Sequence, residues 1–124
     1  MKLEILDALP EGITRLAAHE LYQVLDGPTL IHLAGEREPP LFLCVLLHGN
    51  ETVGWDAARV LIDRYADKAL PRSLSLFIGN VEAARFRVRM LDNQPDHNRI
   101  WRGGDSPEAE IAAAVTREMR ERGA

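Results

Sequence analysis

The chain has 124 residues, which supports one domain with a single hydrophobic core. Its formal net charge of -4 argues against a general nucleic-acid binder, and its lone cysteine, Cys44, excludes an intramolecular disulfide. The N-terminus carries acidic residues and lacks a continuous apolar run, so no signal peptide or transmembrane segment is predicted and a cytoplasmic location is expected.

Apolar spacing predicts that helices and strands alternate along the chain. A helical repeat runs from Ile13 to Val24, and the Gly-Pro pair that follows closes it. Residues 29–34 are predicted to form a short strand and residues 35–40 a polar turn. This alternation, which continues to the end of the chain, predicts an α/β domain with a mixed or mostly parallel sheet and helices on both faces.

The most apolar stretch, at residues 41–47, predicts a buried central strand. Two prolines precede it and Gly49 follows it, and the run is too short to cross a membrane. The next helix is predicted over about residues 52–66. The residues expected to form one apolar face of this helix are Val53, Ala57, Val60 and Leu61.

A second strand and two further helices are predicted in the rest of the chain. Residues 74–78 read as a strand and residues 81–87 as a short helix or turn. The polar stretch at 88–104 is predicted to be a long loop, and loops of that length are more often functional than idle. Ser106 and Pro107 start a last helix, whose apolar residues recur every four positions and need a partner surface.

His48 and Glu51 stand where the apolar run ends and the next helix begins. Open α/β sheets place their chemistry at strand ends of this kind. An imidazole nitrogen and a carboxylate oxygen both bind Zn²⁺, and Gly49 between them lets the backbone turn sharply. Such a pair also occurs without a metal, as a structural His and a helix-capping Glu. The zinc hypothesis therefore depends on a second motif.

The second motif, RMLDNQPDHNRIW, runs from Arg89 to Trp101. With it, the chain resembles the succinylglutamate desuccinylase and aspartoacylase family, a branch of the zinc carboxypeptidase superfamily. The resemblance covers about residues 41–104. The segments that carry it are, in order, His48-Gly49-Asn50-Glu51, then Asn80, then Arg89 with Asp92, and then Asp96-His97-Asn98-Arg99.

The resemblance implies a fold, an activity and a role for five of the matching residues. The implied fold is that of the zinc-dependent exopeptidases (phosphorylase/hydrolase-like), and the implied reaction is hydrolysis of the amide of an N-acyl amino acid. His48 and Glu51 would bind zinc. Asn98 and Arg99 would hold the substrate's carboxylate, and Arg89 would polarise the scissile carbonyl. Arginine suits this task because its paired N–H groups match a carboxylate.

The chain departs from the family pattern in three respects. The family commonly has Leu where His97 stands, and the stretch between Arg89 and Asp96 is longer than usual, which leaves Arg87 as an alternative to Arg89. The family's third zinc ligand, a later His, and its general base, a Glu, have no counterpart in residues 1–124. The chain is therefore predicted to be the N-terminal part of a zinc-hydrolase catalytic domain, inactive by itself, with His97 as an alternative third ligand.

The predicted function is thus a zinc-dependent hydrolase or deacylase acting on a linear amide or ester bond. Its predicted partners are Zn²⁺ and a small carboxylate-bearing substrate, without nucleic acid or membrane. A second copy of the chain or a missing C-terminal part would complete the assembly. The alternative function is a non-catalytic module that keeps the fold and binds a carboxylate ligand or a partner chain.

Overall fold

A computed structural model describes residues 2–97 and 99–124. The strands in them are β1 (Glu4–Leu6), β2 (Thr29–Leu33), β3 (Leu41–Val45) and β4 (Leu74–Ile78). The α-helices are α1 (Val53–Arg64), α2 (Val81–Arg85) and α3 (Pro107–Glu121), and short 3-10 helices cover Ile13–Arg15, Ala18–Gln23 and Ile100–Arg102. In this described part of the chain, no helix is both long enough and apolar enough to cross a membrane.

The strands form one mixed sheet in the order β1-β2-β4-β3. β1 runs parallel to β2, β2 runs antiparallel to β4, and β4 runs parallel to β3. Helix α1 makes the crossover between the parallel neighbours β3 and β4, as parallel pairing requires. The predicted α/β class, with a mixed sheet flanked by helices, is confirmed.

The prediction that the run at 41–47 is a buried central strand is wrong. The interior strands are β2 and β4, each with neighbours on both sides, and β4 is buried along its whole length. β3 lies at the edge of the sheet, and its first residues, Leu41 and Phe42, are exposed. Its pairing ends at Val45, because Leu46 adopts a left-handed conformation with φ 61°. An apolar run predicts a strand but does not say how many neighbours that strand has.

Helices cover both faces of the sheet, and an apolar core lies on each face. On one face, α1, α2 and the first two 3-10 helices pack on side chains such as Ile31, Leu76 and Ile78. On the other face, α3 packs on Leu30 and Phe77. The apolar stripe of α3 consists of Ile111, Val115 and Met119, and the sheet provides the partner surface that this stripe needs.

The apolar face predicted for α1 does not pack on the core. The residues that α1 buries are Trp55, Ala58 and Ile62. The predicted face is open instead: Val53 is 80% exposed, Val60 is 55% exposed and Leu61 is 41% exposed. Two hydrogen bonds accompany this rotation of the helix, since Trp55 Nε1 and Arg59 Nη1 both donate to the carbonyl of Leu16, at 2.9 and 2.8 Å.

The α-helix predicted between Ile13 and Val24 is replaced by two 3-10 segments. They are separated because Leu16 has an extended backbone, with ψ 135°. The backbone N–H of Ala17 donates to Glu20 Oε1 at 2.9 Å, which caps the second segment. The carbonyl of Leu16 is thereby left free to accept the two bonds from α1, an interaction that no local spacing rule contains.

Candidate metal site

His48 and Glu51 lie in the turn that joins β3 to α1. The left-handed Leu46 directs the chain away from the sheet after Val45. Asn80 N–H donates to the Leu46 carbonyl at 2.7 Å, so the ends of β3 and β4 are held together beside this turn. This hydrogen bond therefore fixes the position of the turn that carries His48 and Glu51 relative to the end of the sheet.

Gly49 brings the turn into close contact with the backbone of the segment that follows β4. Its N–H donates to the Arg89 carbonyl at 2.9 Å. A Cβ atom at this position would lie 2.4 Å from the Val88 carbonyl oxygen and 2.5 Å from the backbone carbon of Ala83. Gly49 was predicted to let the backbone turn sharply, but the left-handed residue of this turn is Leu46, and Gly49 is needed because two backbone segments meet there.

His48 is the centre of the candidate site. Its Nδ1 contacts Glu51 Oε1 directly, and its Nε2 lies 2.9 Å from Asp96 Oδ1. The expected convergence of His48 and Glu51 is therefore confirmed. The second motif joins the same cluster, because the other oxygen of Asp96 lies 3.4 Å from Arg89 Nη2.

The electrostatics of this cluster favour positive charge at His48. The imidazole is buried, which by itself disfavours the charged form, but its contacts with the carboxylates of Glu51 and Asp96 outweigh burial and raise the pKa of His48. The same two carboxylates would stabilise a metal cation at this place.

A cleft of about 490 Å³ opens beside the cluster, between the end of β3 and the start of α1. Glu51 is well exposed in it, whereas His48 is largely covered. The residues that line the cleft are Cys44, Val45, Leu46, Leu47, His48, Asn50, Glu51, Thr52, Val53 and Gly54. A ligand atom entering this cleft can reach the point where His48 and Glu51 meet.

Asn80 holds the loop that carries Asp96. This buried residue caps α2 by accepting a hydrogen bond from Ala83 N–H at 3.2 Å. Its amide nitrogen donates to Gln94 Oε1 at 3.0 Å and lies 3.5 Å from His97 Nδ1. Asn80 is one of the residues that carry the family resemblance, but the resemblance assigns it no role. An Asn directly after a strand and before a helix is the sequence signal for the cap, but nothing in the sequence indicates its tie to the loop.

The structure brings only some of the predicted substrate-binding residues to the site. Arg89 joins it through Asp96, whereas Arg87, the alternative, lies 3.0 Å from His19. The side chain of Arg99 is exposed and pairs with no acidic side chain among residues 2–97 and 99–124. Asn98 lies outside the described residues.

His97, the alternative third ligand, is placed beside Asn80. It is buried, and burial lowers its pKa below the ordinary range. Among the residues that the structure describes, no three His, Cys, Asp or Glu side chains are grouped so that they could hold a metal ion. His48 and Glu51 remain the pair whose donor atoms meet.

A second polar cluster links α3 to the sheet. His32 Nδ1 lies 2.7 Å from Ser75 Oγ, across the β2–β4 pairing, and His32 Nε2 lies 3.3 Å from Glu118 Oε1. Burial lowers the pKa of His32. His32 is itself buried, so both contacts lie in the interior. Ser75 is itself fully buried, which fits a structural tie.

Comparison with family models, with characterised proteins and with solved structures finds no match for this chain. The fit of a metal is therefore judged from the donor atoms. A nitrogen of His48 and an oxygen of Glu51 meet at one point, and a second carboxylate, Asp96, lies on the other ring nitrogen. A metal-bound histidine almost always has such an outer partner. His48 and Glu51 thus fit part of a zinc coordination shell.

Proposed function

We propose that this chain carries the first half of the zinc site of a hydrolase that removes an acyl group from an N-acyl amino acid. The proposed relatives are succinylglutamate desuccinylase and aspartoacylase, and the proposed fold class is that of the zinc-dependent exopeptidases. The observation that supports the proposal is the position of His48 between the carboxylates of Glu51 and Asp96.

A neutral imidazole donates a hydrogen bond from one ring nitrogen and presents a lone pair on the other. If Nε2–H donates to Asp96, then the lone pair of Nδ1 points at the carboxylate oxygen of Glu51. Two lone pairs at one point repel each other unless a cation lies there. A proton or a divalent metal ion satisfies this requirement, and one nitrogen with one oxygen suits zinc.

The residues of this chain would bind and orient the substrate. Zinc held by His48 and Glu51 would polarise the scissile carbonyl and lower the pKa of water to about 7. Asp96 would keep the imidazole of His48 in the tautomer and orientation that a ligand needs. Arg99 has no acidic side-chain partner among the described residues, so its guanidinium is available for a substrate carboxylate.

The remaining roles are divided between residues of this chain and further polypeptide. Asn98 would support Arg99 in holding the carboxylate, and Arg89, held by Asp96, would lie near the scissile carbonyl. The third zinc ligand and the general base would come from polypeptide outside residues 1–124. A missing general base alone costs about 10²- to 10⁴-fold in rate.

The proposal is tested by hydrolysis of N-acetyl-aspartate, N-succinyl-glutamate and related amides with added zinc. We expect no turnover by residues 1–124 alone. In a longer protein that contains this chain, we expect turnover that His48→Ala abolishes and that Arg99→Lys reduces roughly 10- to 100-fold in kcat/KM, since an ammonium group cannot form the paired bonds of a guanidinium. Arg102→Lys, in an exposed arginine three positions away, is the matched control and should have little effect.

Turnover by residues 1–124 alone would contradict the division of the site between this chain and further polypeptide. A longer protein that hydrolyses these amides equally well with Arg99→Lys would contradict the assignment of the carboxylate-binding residue. Activity that survives His48→Ala would contradict the metal site itself.

A non-catalytic carboxylate-binding module is the second candidate. It is favoured by the finding that, in the described part of the chain, no complete group of three metal-binding side chains is present, although Arg99 is exposed. Calorimetric titration with an N-acyl amino acid distinguishes the two functions. A module of this kind would bind the ligand equally well with and without a chelator, whereas the proposed hydrolase would bind it more tightly with zinc.

A further inference from the structure

A cavity of about 500 Å³ lies between α3 and the 3-10 helix Ile100–Arg102. Its size is typical of pockets that hold small ligands, which measure about 300–1,000 Å³. Arg117 and Arg120 of α3 line it on one side, and Trp101 lines it on the other. It shares no lining residue with the cleft at His48, so this cavity is separate from the candidate metal site.

Packing sets the position of Trp101. Its ring meets the Phe77 ring of β4 edge-on, with the ring centroids 5.8 Å apart and the planes at 82°. It also packs with Ile100, Ala109 and Ala112, which join the 3-10 helix to α3. The indole is partly exposed, so the cavity has an aromatic wall whose position these contacts define.

Two arginines give the cavity its charge. Arg117 and Arg120 lie three residues apart on α3, which makes them neighbours on the helix surface. Both are exposed, and in the part of the chain that the structure describes neither forms an ion pair. Arg102 and Glu121 also line the cavity, and their opposite charges cancel. The charges of Arg117 and Arg120 are therefore left uncompensated, and a ligand with two negative charges would balance them.

An apolar recess of about 220 Å³ adjoins the cavity. Trp101 and Arg120 line both spaces. The apolar side chains that line the recess are Phe42, Val115 and Met119, and Phe42 is 36% exposed. A flat apolar ring can therefore lie in the recess beside Trp101 while an attached anionic group stays close to the arginines.

We propose that these two adjoining spaces, the Trp101 site, bind a nucleoside monophosphate. The residues of the Trp101 site that carry the argument are Phe42, Trp101, Val115, Arg117, Met119 and Arg120. The proposal goes beyond the hydrolase reaction and does not depend on zinc, because it rests on the charge and the lining of a separate cavity.

The charge of the ligand follows from the two arginines. A phosphate monoester carries about -1.5 to -2 charges at pH 7, which matches the two uncompensated guanidinium groups, whereas one carboxylate would leave a positive charge unbalanced. Guanidinium groups also form paired hydrogen bonds with phosphate oxygens. Two positive charges side by side on one helix repel each other, so a dianion between Arg117 and Arg120 removes that repulsion.

The ring of the ligand follows from the aromatic wall and the recess. Nucleobases stack on aromatic side chains, and loss of such a stack weakens binding roughly 5- to 150-fold. Inorganic phosphate uses only the arginines, and a nucleoside uses only the ring contacts. A nucleoside monophosphate uses both and should bind more tightly than either part.

The proposal is tested by calorimetric titration of residues 1–124 with adenosine monophosphate in the presence of a metal chelator. We expect one ligand per chain, bound at least about tenfold more tightly than adenosine or inorganic phosphate. Free phosphotyrosine, which also joins a phosphate monoester to a flat ring, distinguishes the source of the phosphate and should bind more weakly than the nucleotide.

Variants assign the binding to the Trp101 site. Arg117→Gln and Arg120→Gln should each weaken adenosine monophosphate about tenfold or more and leave adenosine unchanged, because each removes a guanidinium that faces the phosphate. Trp101→Leu, which keeps an apolar side chain, should weaken both ligands. Arg64→Gln is the matched control, because Arg64 is exposed at the end of α1 and lines neither space, and it should change no affinity. Circular dichroism confirms that each variant is folded.

Several outcomes would overturn the proposal. Binding of inorganic phosphate or adenosine as tight as that of the nucleotide would show that the two spaces do not act together. Tighter binding of phosphotyrosine would contradict the nucleotide assignment. Absence of binding at about 1 mM ligand, or binding that persists in a folded Arg117→Gln/Arg120→Gln variant, would refute the site. A longer protein containing this chain that binds no nucleotide, although residues 1–124 do, would show that further polypeptide fills the site.

Discussion

Gly49→Ala is expected to be among the most damaging single-methyl changes in this chain. The added Cβ would lie 2.4 Å from the Val88 carbonyl oxygen and 2.5 Å from backbone atoms of Ala83 and Ala84. Ordinary contact distances are longer by about 1 Å, so the turn must move away from α2 by that amount. Overpacking of side chains costs about 1–3 kcal/mol, and backbone atoms yield less easily, so we expect a loss of at least about 3 kcal/mol.

Urea unfolding followed by circular dichroism measures this loss, and a fall in melting temperature of roughly 10 °C should accompany it. Gly27→Ala is the matched control, because a Cβ there would meet nothing within 4 Å, and it should change stability by less than about 1 kcal/mol. If the Gly49→Ala and Gly27→Ala variants were equally stable, that result would contradict the close contact between the turn at His48 and α2.

Three further predictions concern the loop, the second polar cluster and the cysteine. Asn80→Ala should cost about 1–2 kcal/mol and speed hydrogen exchange at Leu91, since it removes both the α2 cap and the tie to Gln94. Burial lowers the pKa of His32 below its ordinary value of 6.5, so the unfolded chain binds more protons and stability should fall as the pH drops below about 6.5. His32→Gln should flatten that dependence in thermal melts, and an unchanged slope would contradict it. Burial also raises the pKa of the Cys44 thiol to about 12, so a thiol reagent at pH 8 should react slowly until the chain is unfolded.

Much of the fold follows from local patterns in the sequence. The strands at 29–33 and 74–78 and helix α3 agree with their predictions, because continuous apolar runs and a Ser-Pro helix start are local signals. The rotation of α1 does not follow from them. This helix has two apolar stripes, and the carbonyl of Leu16, far away in sequence, accepts the bonds of Trp55 and Arg59 on one of them.

The sequence likewise predicts some features of the candidate site and not others. The meeting of His48 and Glu51 follows from their spacing at a strand end. The bond from His48 to Asp96 joins residues 48 positions apart, and only the resemblance placed these two motifs together. The edge position of β3 could not be predicted, since strand order depends on pairings between distant segments.

Zinc titration of residues 1–124 tests the central claim most directly. We predict binding far weaker than the roughly 10 kcal/mol or more of a complete structural zinc site, because only His48 and Glu51 contribute ligands. His48→Ala should abolish this binding, and Asp96→Asn should weaken it about 10- to 100-fold, as loss of an outer partner does. His19→Ala, which changes a histidine outside the cluster, should leave it unchanged. Tight one-to-one binding that survives His48→Ala would contradict the account.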